Sequence, residues 1–174
     1  GLRVWVSDER GALLDTGGGL WKASAFFAQD EEVLVHNVDV LSDLQLARLL
    51  EAHRKTGAMV TLAVKERETS RKLLFDSKHS LVGWRNMRSG ETLWSGEPCN
   101  EVRELAYSGV HVVQGALFAR YRQEGAFPLI PLYVKLAARE RIMGFVHADA
   151  WLDVGKPGTP ELAGKMIKNK ELRL

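Results

Sequence analysis

The run Met59-Val60-Thr61-Leu62-Ala63-Val64 sets the strongest limit on the fold, because apolar side chains stand at almost every successive position. Neighbouring residues of a strand point to opposite faces, so such a segment is stable only where both faces of its sheet are covered. A well-marked helix precedes it. Ser42 and Gln45 have capping-box spacing, Leu46, Leu49, Leu50 and His53 share a face, and Gly57 ends the periodicity. Before that helix comes a shorter apolar run, Val33-Leu34-Val35. Strand, helix, strand in this order predicts an α/β protein: a three-layer, Rossmann-like, mixed and mainly parallel sheet flanked by helices.

The remaining chain fills in around this unit. Leu2-Arg3-Val4-Trp5-Val6 alternates and predicts an opening strand, and Gly17-Gly18-Gly19 reads as a loop leading into a short helix over 20–27. Residues 71–97 look like small strands joined by turns, a β meander inserted into the domain. Residues 106–113 return to the core pattern, with Gly109 breaking the strand. A helix follows over 128–140, with Tyr133, Leu136 and Ala137 on one face. Then come a strand pair near 142–146 and 150–154 and a final helix from about 160 to 170, opened by Thr159 and Pro160.

Size and charge narrow the function classes. At 174 residues and 45% hydrophobic, the chain can bury one core, so 1–174 is read as a single domain. Cys99 is the only cysteine, which excludes an internal disulfide, and no run reaches the roughly 18 apolar residues of a membrane span. The 24 basic and 22 acidic residues are dispersed, which argues against a nucleic-acid partner. No leader precedes the first strand, so the expected location is cytoplasmic, with no membrane partner.

Chemistry is carried by two aspartates. Asp39 follows the apolar run 33–35 within His36-Asn37-Val38-Asp39-Val40, where an α/β sheet presents ligands at its carboxyl edge. Asp153, in Trp151-Leu152-Asp153-Val154-Gly155, ends a later strand, and both could face one cleft. Magnesium takes one or two carboxylates and completes its shell with water and substrate phosphates, so the pair and the glycine loop suggest a bound nucleotide with Mg2+.

Five segments in order carry a resemblance to the sugar-1-phosphate nucleotidyltransferases: Leu13-Leu14-Asp15-Thr16-Gly17-Gly18-Gly19, Asn37-Val38-Asp39, Tyr107-Ser108-Gly109-Val110-His111, Phe127-Pro128-Leu129-Ile130 and Trp151-Leu152-Asp153-Val154-Gly155-Lys156-Pro157. The chain resembles members acting on N-acetylmuramate 1-phosphate or mannose 1-phosphate. The resemblance implies transfer of a nucleotide from a nucleoside triphosphate to a sugar 1-phosphate, releasing pyrophosphate and giving an NDP-sugar. It implies that Thr16, Gly17, Gly18 and Asn37 contact the nucleotide, that Gly109, Phe127 and Trp151 lie by the sugar, and that Asp39 and Asp153 are catalytic and hold Mg2+. Lys156 could reach a phosphate.

The resemblance also has gaps. The family's opening strand and Gly-x-Gly-Thr-Arg loop, which hold the triphosphate, have no counterpart, so these residues match a member lacking its N-terminal βα units. The fragment alone is expected to be inactive, and its uncovered strand edge to self-associate. A non-catalytic nucleotide-sugar binding or regulatory module is the alternative, and a cytidylyltransferase acting on alcohol phosphates a third reading. Val38 stands where many relatives have glycine. His36, His111 and His147 read as ordinary strand residues without zinc-like spacing, Trp84, Trp94 and Trp151 as buried apolar groups, and the charged run 67–72 as a solvated turn.

Overall fold

The computed structural model describes residues 1, 3–155 and 157–172. Leu2, at the head of the expected opening strand, and Lys156, a possible phosphate contact by sequence, lie outside the described residues. The elements begin with α1 (Asp15–Ala23), β1 (Glu32–His36), β2 (Val40–Ser42), α2 (Leu46–Thr56) and β3 (Val60–Lys65). They continue with β4 (Arg71–Phe75), β5 (Leu81–Asn86), β6 (Thr92–Trp94), β7 (Arg103–Gln114) and α3 (Ala116–Arg120). Last come α4 (Leu129–Leu136), β8 (Ile142–Val146), β9 (Trp151–Asp153) and α5 (Thr159–Lys168).

The apolar run behaves as its composition requires. Val60 to Val64 are all buried, with β7 on one side of β3 and β8 on the other. Val60, Leu62 and Val64 join one cluster with Trp21, Leu117, Leu129, Tyr133 and Val134, while Ala63 joins a second with Val40, Leu44, Leu49, Val110 and Val112. Helices thus cover both faces, and each fully buried aliphatic side chain contributes about 1.5–3 kcal/mol. Leu49 and His53 of α2 are buried as the periodicity implies, and His53 Nδ1 meets Thr61 Oγ1 at 2.8 Å under the sheet. Gly57 closes α2 in the left-handed region, φ 58°, which glycine reaches without a Cβ penalty.

The sheet is mixed, with α-helices on both sides as expected, but it is mainly antiparallel rather than mainly parallel: among the described strands its direct parallel pairing is β3 with β8. β1 and β3 run in the same direction, as a strand-helix-strand unit predicts, but both are antiparallel to β7, which lies between them. The meander over 71–97 is present as antiparallel β4, β5 and β6, joined to the start of β7 through β4.

Several local expectations give way to long-range pairing. Arg3 to Val6 form no strand, and Val4, Trp5 and Val6 stay exposed, because alternation makes a strand only where a partner supplies the ladder. Ser42 does not cap α2; it ends β2, donates to Ala150 O at 2.6 Å, and leaves Gln45 as the N-cap residue. The strands near 142–146 and 150–154 do not pair with each other: β8 joins β3, whereas β9 joins β2. The helix expected over 128–140 is shorter, with Pro128 as its N-cap residue, and Ala137 packs beside the core with Tyr133 and Leu136.

Three histidines are buried: the rings of His53 and His111 are held by neutral partners, and His147 meets Ser108 Oγ through Nε2 at 2.8 Å while its Nδ1 lies 3.4 Å from the Asp149 carboxylate without a hydrogen bond. His111 lies between Tyr107 Oη at 2.7 Å and Tyr133 Oη at 3.0 Å, and burial pushes its pKa down to about 3. Burial also lowers the pKa of His53 and of His147. The unfolded chain, with histidine near 6.5, binds protons the folded one refuses, so stability is complete above about pH 6.5 and falls as the pH drops toward 3. The melting temperature is therefore expected to fall between about pH 7 and pH 5, before ordinary carboxylates titrate. A melting temperature flat across that window would contradict the neutral burial of these rings.

Candidate active site

The short β2–β9 ribbon builds the acidic centre. Val40 stands opposite Asp153, and Val154 N donates to Asp39 O at 2.8 Å, which carries the pairing one residue beyond the strand. Asp39 occupies the exposed turn between β1 and β2, and Asp153 the end of β9. Their side chains converge over Gly155. A Cβ added to Gly155 would stand 3.0 Å from Asp39 Oδ2 and 3.2 Å from Asp153 Oδ1, and Gly155 N donates to Asp153 Oδ1 at 2.9 Å. Two carboxylates aimed at one point repel each other unless a cation lies between them, and hard oxygen donors of this kind fit magnesium. Among the described residues no group of three or more His, Cys, Asp or Glu could hold a metal, so a cation here needs water or substrate oxygens as further ligands.

Beside this pair lies a cavity of about 600 Å3, lined among others by Thr16, Asn37, Arg67, Arg71, Trp84 and Tyr107. Its floor comes from the sheet and its rim from the start of α1 and from Pro128 to Pro131. Arg67, Thr69, Arg71 and Leu73 all line it, from the connection after β3 and the start of β4. Arg67 is the best anchored of them. Its guanidinium lies 4.0 Å from the Trp151 ring centroid, Nη2 donates to Tyr107 O at 2.9 Å, and Nε is buried without a hydrogen-bond partner. The charged run 67–72 is therefore not simply a solvated turn, and no local pattern in it marks Arg67 as half-buried.

The structure redistributes the other expected site residues. Thr16 lines the cavity, and its Oγ1 accepts from Leu129 N at 3.1 Å. Gly17 and Gly18 are not in a loop: they lie buried in α1, and their N–H groups point to Phe127 O at 3.0 and 3.3 Å. Those donors are used internally, which corrects the expectation of a glycine loop. A Cβ at Gly17 would lie 2.3 Å from the Phe127 ring, and one at Gly18 2.2 Å from Gly125 O, so both glycines serve close packing.

Asn37 lines the cavity and donates its N–H to Gly109 O at 2.8 Å. Gly109, buried at φ 77°, lies under Asn37 and Val40 and is not among the residues lining the cavity. Phe127 packs edge-on against Trp21 at 5.7 Å, leaving Pro128, Leu129 and Ile130 to face the space. Trp151 supports Arg67 and donates from Nε1 to Ser108 O at 2.8 Å. Trp84 is the tryptophan that reaches the cavity wall.

No family model matches the chain. It is 28% identical over 159 residues to the N-acetylmuramate alpha-1-phosphate uridylyltransferase of Caulobacter vibrioides, an alignment covering 89% of this chain and 62% of that protein. The chain thus spans less than two thirds of that relative's length. HddC from Yersinia pseudotuberculosis, solved with GMP-PN, superposes with a TM-score of 0.66 at 15% identity over 88% of this chain and 63% of its own. A UDP-glucose pyrophosphorylase bound to UDP-glucose gives 0.65 at 13% identity over 90% and 63%. The resemblance to sugar-1-phosphate nucleotidyltransferases is borne out in sequence and in fold. Among the described residues no helix is long and apolar enough to cross a membrane.

Proposed function

We propose that residues 1–174 form the catalytic portion of a nucleotidyltransferase that couples a sugar 1-phosphate to a nucleoside triphosphate, yielding an NDP-sugar and pyrophosphate. The observation that carries this reading is the convergence of Asp39 and Asp153 beside a cavity of sugar-phosphate size, in a chain similar to a uridylyltransferase. That similarity supports UTP and N-acetylmuramate 1-phosphate as the first substrates to test. Retention of both carboxylates favours catalysis over a non-catalytic binding module.

In the reaction a phosphate oxygen of the sugar 1-phosphate attacks the α-phosphorus, the new P–O bond forms, and the bond to the β-phosphate breaks. The nucleophile is already anionic at neutral pH, so no side chain need remove a proton, and catalysis rests on positioning and charge neutralisation. Asp39 and Asp153 would hold Mg2+, which when bound supplies positive charge to phosphate oxygens. Asn37 and Thr16 border the space for the two substrates, and Trp84 and Tyr107 give it apolar walls for a sugar ring. A cytoplasmic location suits a nucleoside triphosphate substrate and the free thiol of Cys99.

Calorimetric titration of the chain with Mg-UTP and a panel of sugar 1-phosphates tests the proposal, and pyrophosphate release with and without Mg2+ tests it in a protein that joins these residues to a triphosphate-holding loop. Neither release nor nucleotide binding in any combination would sink it.

The proposal extends to self-association. Among the described strands β1 pairs with β7 alone, and Leu34 on it is 45% exposed. A free strand edge with apolar residues recruits a further strand. Light scattering after size exclusion is expected to find a dimer or larger species, and Leu34→Lys to shift it toward monomer. A monomeric wild-type chain at high concentration would contradict this.

A further inference from the structure

We infer that Arg67 is the residue that grips the phosphate of the sugar 1-phosphate, an assignment that rests on the transferase reading above. Its place in the fold is the first argument. Trp151 and Asp153 lie two apart on β9 and so share a face, and Arg67 stacks on Trp151 within electrostatic reach of Asp153 while also lining the cavity. The guanidinium therefore stands where the cavity meets the carboxylate pair. A sugar phosphate poised to attack a nucleotide held there has its anion at that junction.

Pre-organisation is the second argument. Stacking at 4.0 Å and the bond to Tyr107 O hold the planar group still, while burial strips water from it. Its Nε keeps a buried donor with no protein acceptor. Buried donors are rarely left unpaired, and a guanidinium fork matches phosphate oxygens. Charge balance is the third. Two anionic substrates meet beside two carboxylates, and the cationic side chains among the cavity's lining residues are Arg67 and Arg71. Of these, Arg67 is the one braced against the strand that carries Asp153.

Calorimetry on the chain tests this with N-acetylmuramate 1-phosphate, glucose 1-phosphate, unphosphorylated N-acetylmuramate and Mg-UTP, using wild type, Arg67→Gln and Arg67→Lys. Arg67→Gln is expected to weaken the better-bound sugar 1-phosphate by roughly 10- to 100-fold, as for loss of a charge-assisted bond, with Mg-UTP and the phosphate-free sugar within about twofold. Arg67→Lys, which keeps charge but not the fork, falls between. Unaltered sugar-phosphate affinity in Arg67→Gln, or an equal loss for Mg-UTP, overturns the assignment. So does a wild type that binds Mg-UTP but neither sugar phosphate, an outcome that leaves nucleotide binding standing. Binding of none of these ligands overturns the proposed function as well. Thermal melts of each variant identify any loss caused by unfolding, and a folded Arg67→Lys then decides the case.

Discussion

Asp39→Ala, in a protein that joins these residues to a triphosphate-holding loop, is expected to lower Mg2+-dependent pyrophosphate release by roughly 10²- to 10³-fold or more, the usual cost of removing one electrostatic contact to developing phosphate charge. The melting temperature should hardly move. Asp39 lies in an exposed turn beside Val38, which is 99% exposed, and substitutions at such positions seldom change stability by more than about 0.5 kcal/mol. The separation of a large kinetic effect from a small thermal one is what marks a ligand rather than a structural turn residue. Asp153→Ala should behave similarly in rate. The double variant should lose little more than either single one, because two ligands of one ion act as a unit. Magnesium titration followed by calorimetry supplies an independent readout. Asp39→Ala activity within about threefold of wild type would remove the metal from the mechanism.

Gly17→Ala gives the second large effect, and here two physical terms of opposite sign compete. Helix propensity favours alanine over glycine by about 1 kcal/mol, and Gly17 lies within α1. Against this, the new Cβ would sit 2.3 Å from Phe127 Cε2 and 2.7 Å from Phe127 O, neither of which is the loose end of a flexible side chain. Forcing α1 away would also stretch the 3.0 Å bond from Gly17 N to Phe127 O. Overpacking of this kind costs about 1–3 kcal/mol, and a 2.3 Å contact places it at the upper end, so after the propensity gain we expect a net loss of about 2 kcal/mol and a melting point lower by roughly 4–8 °C.

Because Pro128 to Pro131 line the cavity immediately after Phe127, affinity for the sugar phosphate should fall too. Gly19→Ala is the internal control. Its Cβ would meet only the Glu9 carboxylate, at 2.6 Å, the far end of a flexible side chain whose one cost in moving is its bond from Leu14 N, so the propensity term should roughly offset the loss and the melting point should hold near wild type. Gly17→Ala melting at or above wild type would refute the close-packing role.

These glycines show where local reading misleads. Three in a row signify backbone freedom when seen alone, yet Gly17 and Gly18 are present because α1 approaches the Phe127 segment too closely for any side chain. Nothing within several residues of them reveals a partner more than a hundred positions away. Arg67 was lost for a related reason: a charged run normally faces water, and only the packing of Trp151 beneath it turns it into a half-buried, directed cation. By contrast Gly57, the meander over 71–97 and the burial of both faces of β3 were legible, since each depends on turn chemistry or periodicity within one short window.

The aspartates fall between these cases. Their positions at strand ends could be read directly, and so could the idea that they face one cleft. That cleft, however, depends on β9 leaving the neighbourhood of β8 to pair with β2, whereas the sequence suggested that the last two strands pair together. The sequence by itself determined the elements with a clear period or turn signal, among them β3, α2 and the meander, which strand must be buried on both faces, and which side chains could ligate a cation, because these follow from side-chain period and chemistry. Only the tertiary structure decided that β7 separates β1 from β3, that Asp39 and Asp153 converge over Gly155, and that Arg67 stands between them and the cavity. Pairing between distant segments is selected by the burial and hydrogen bonding of the whole assembly, and no local pattern carries that sum.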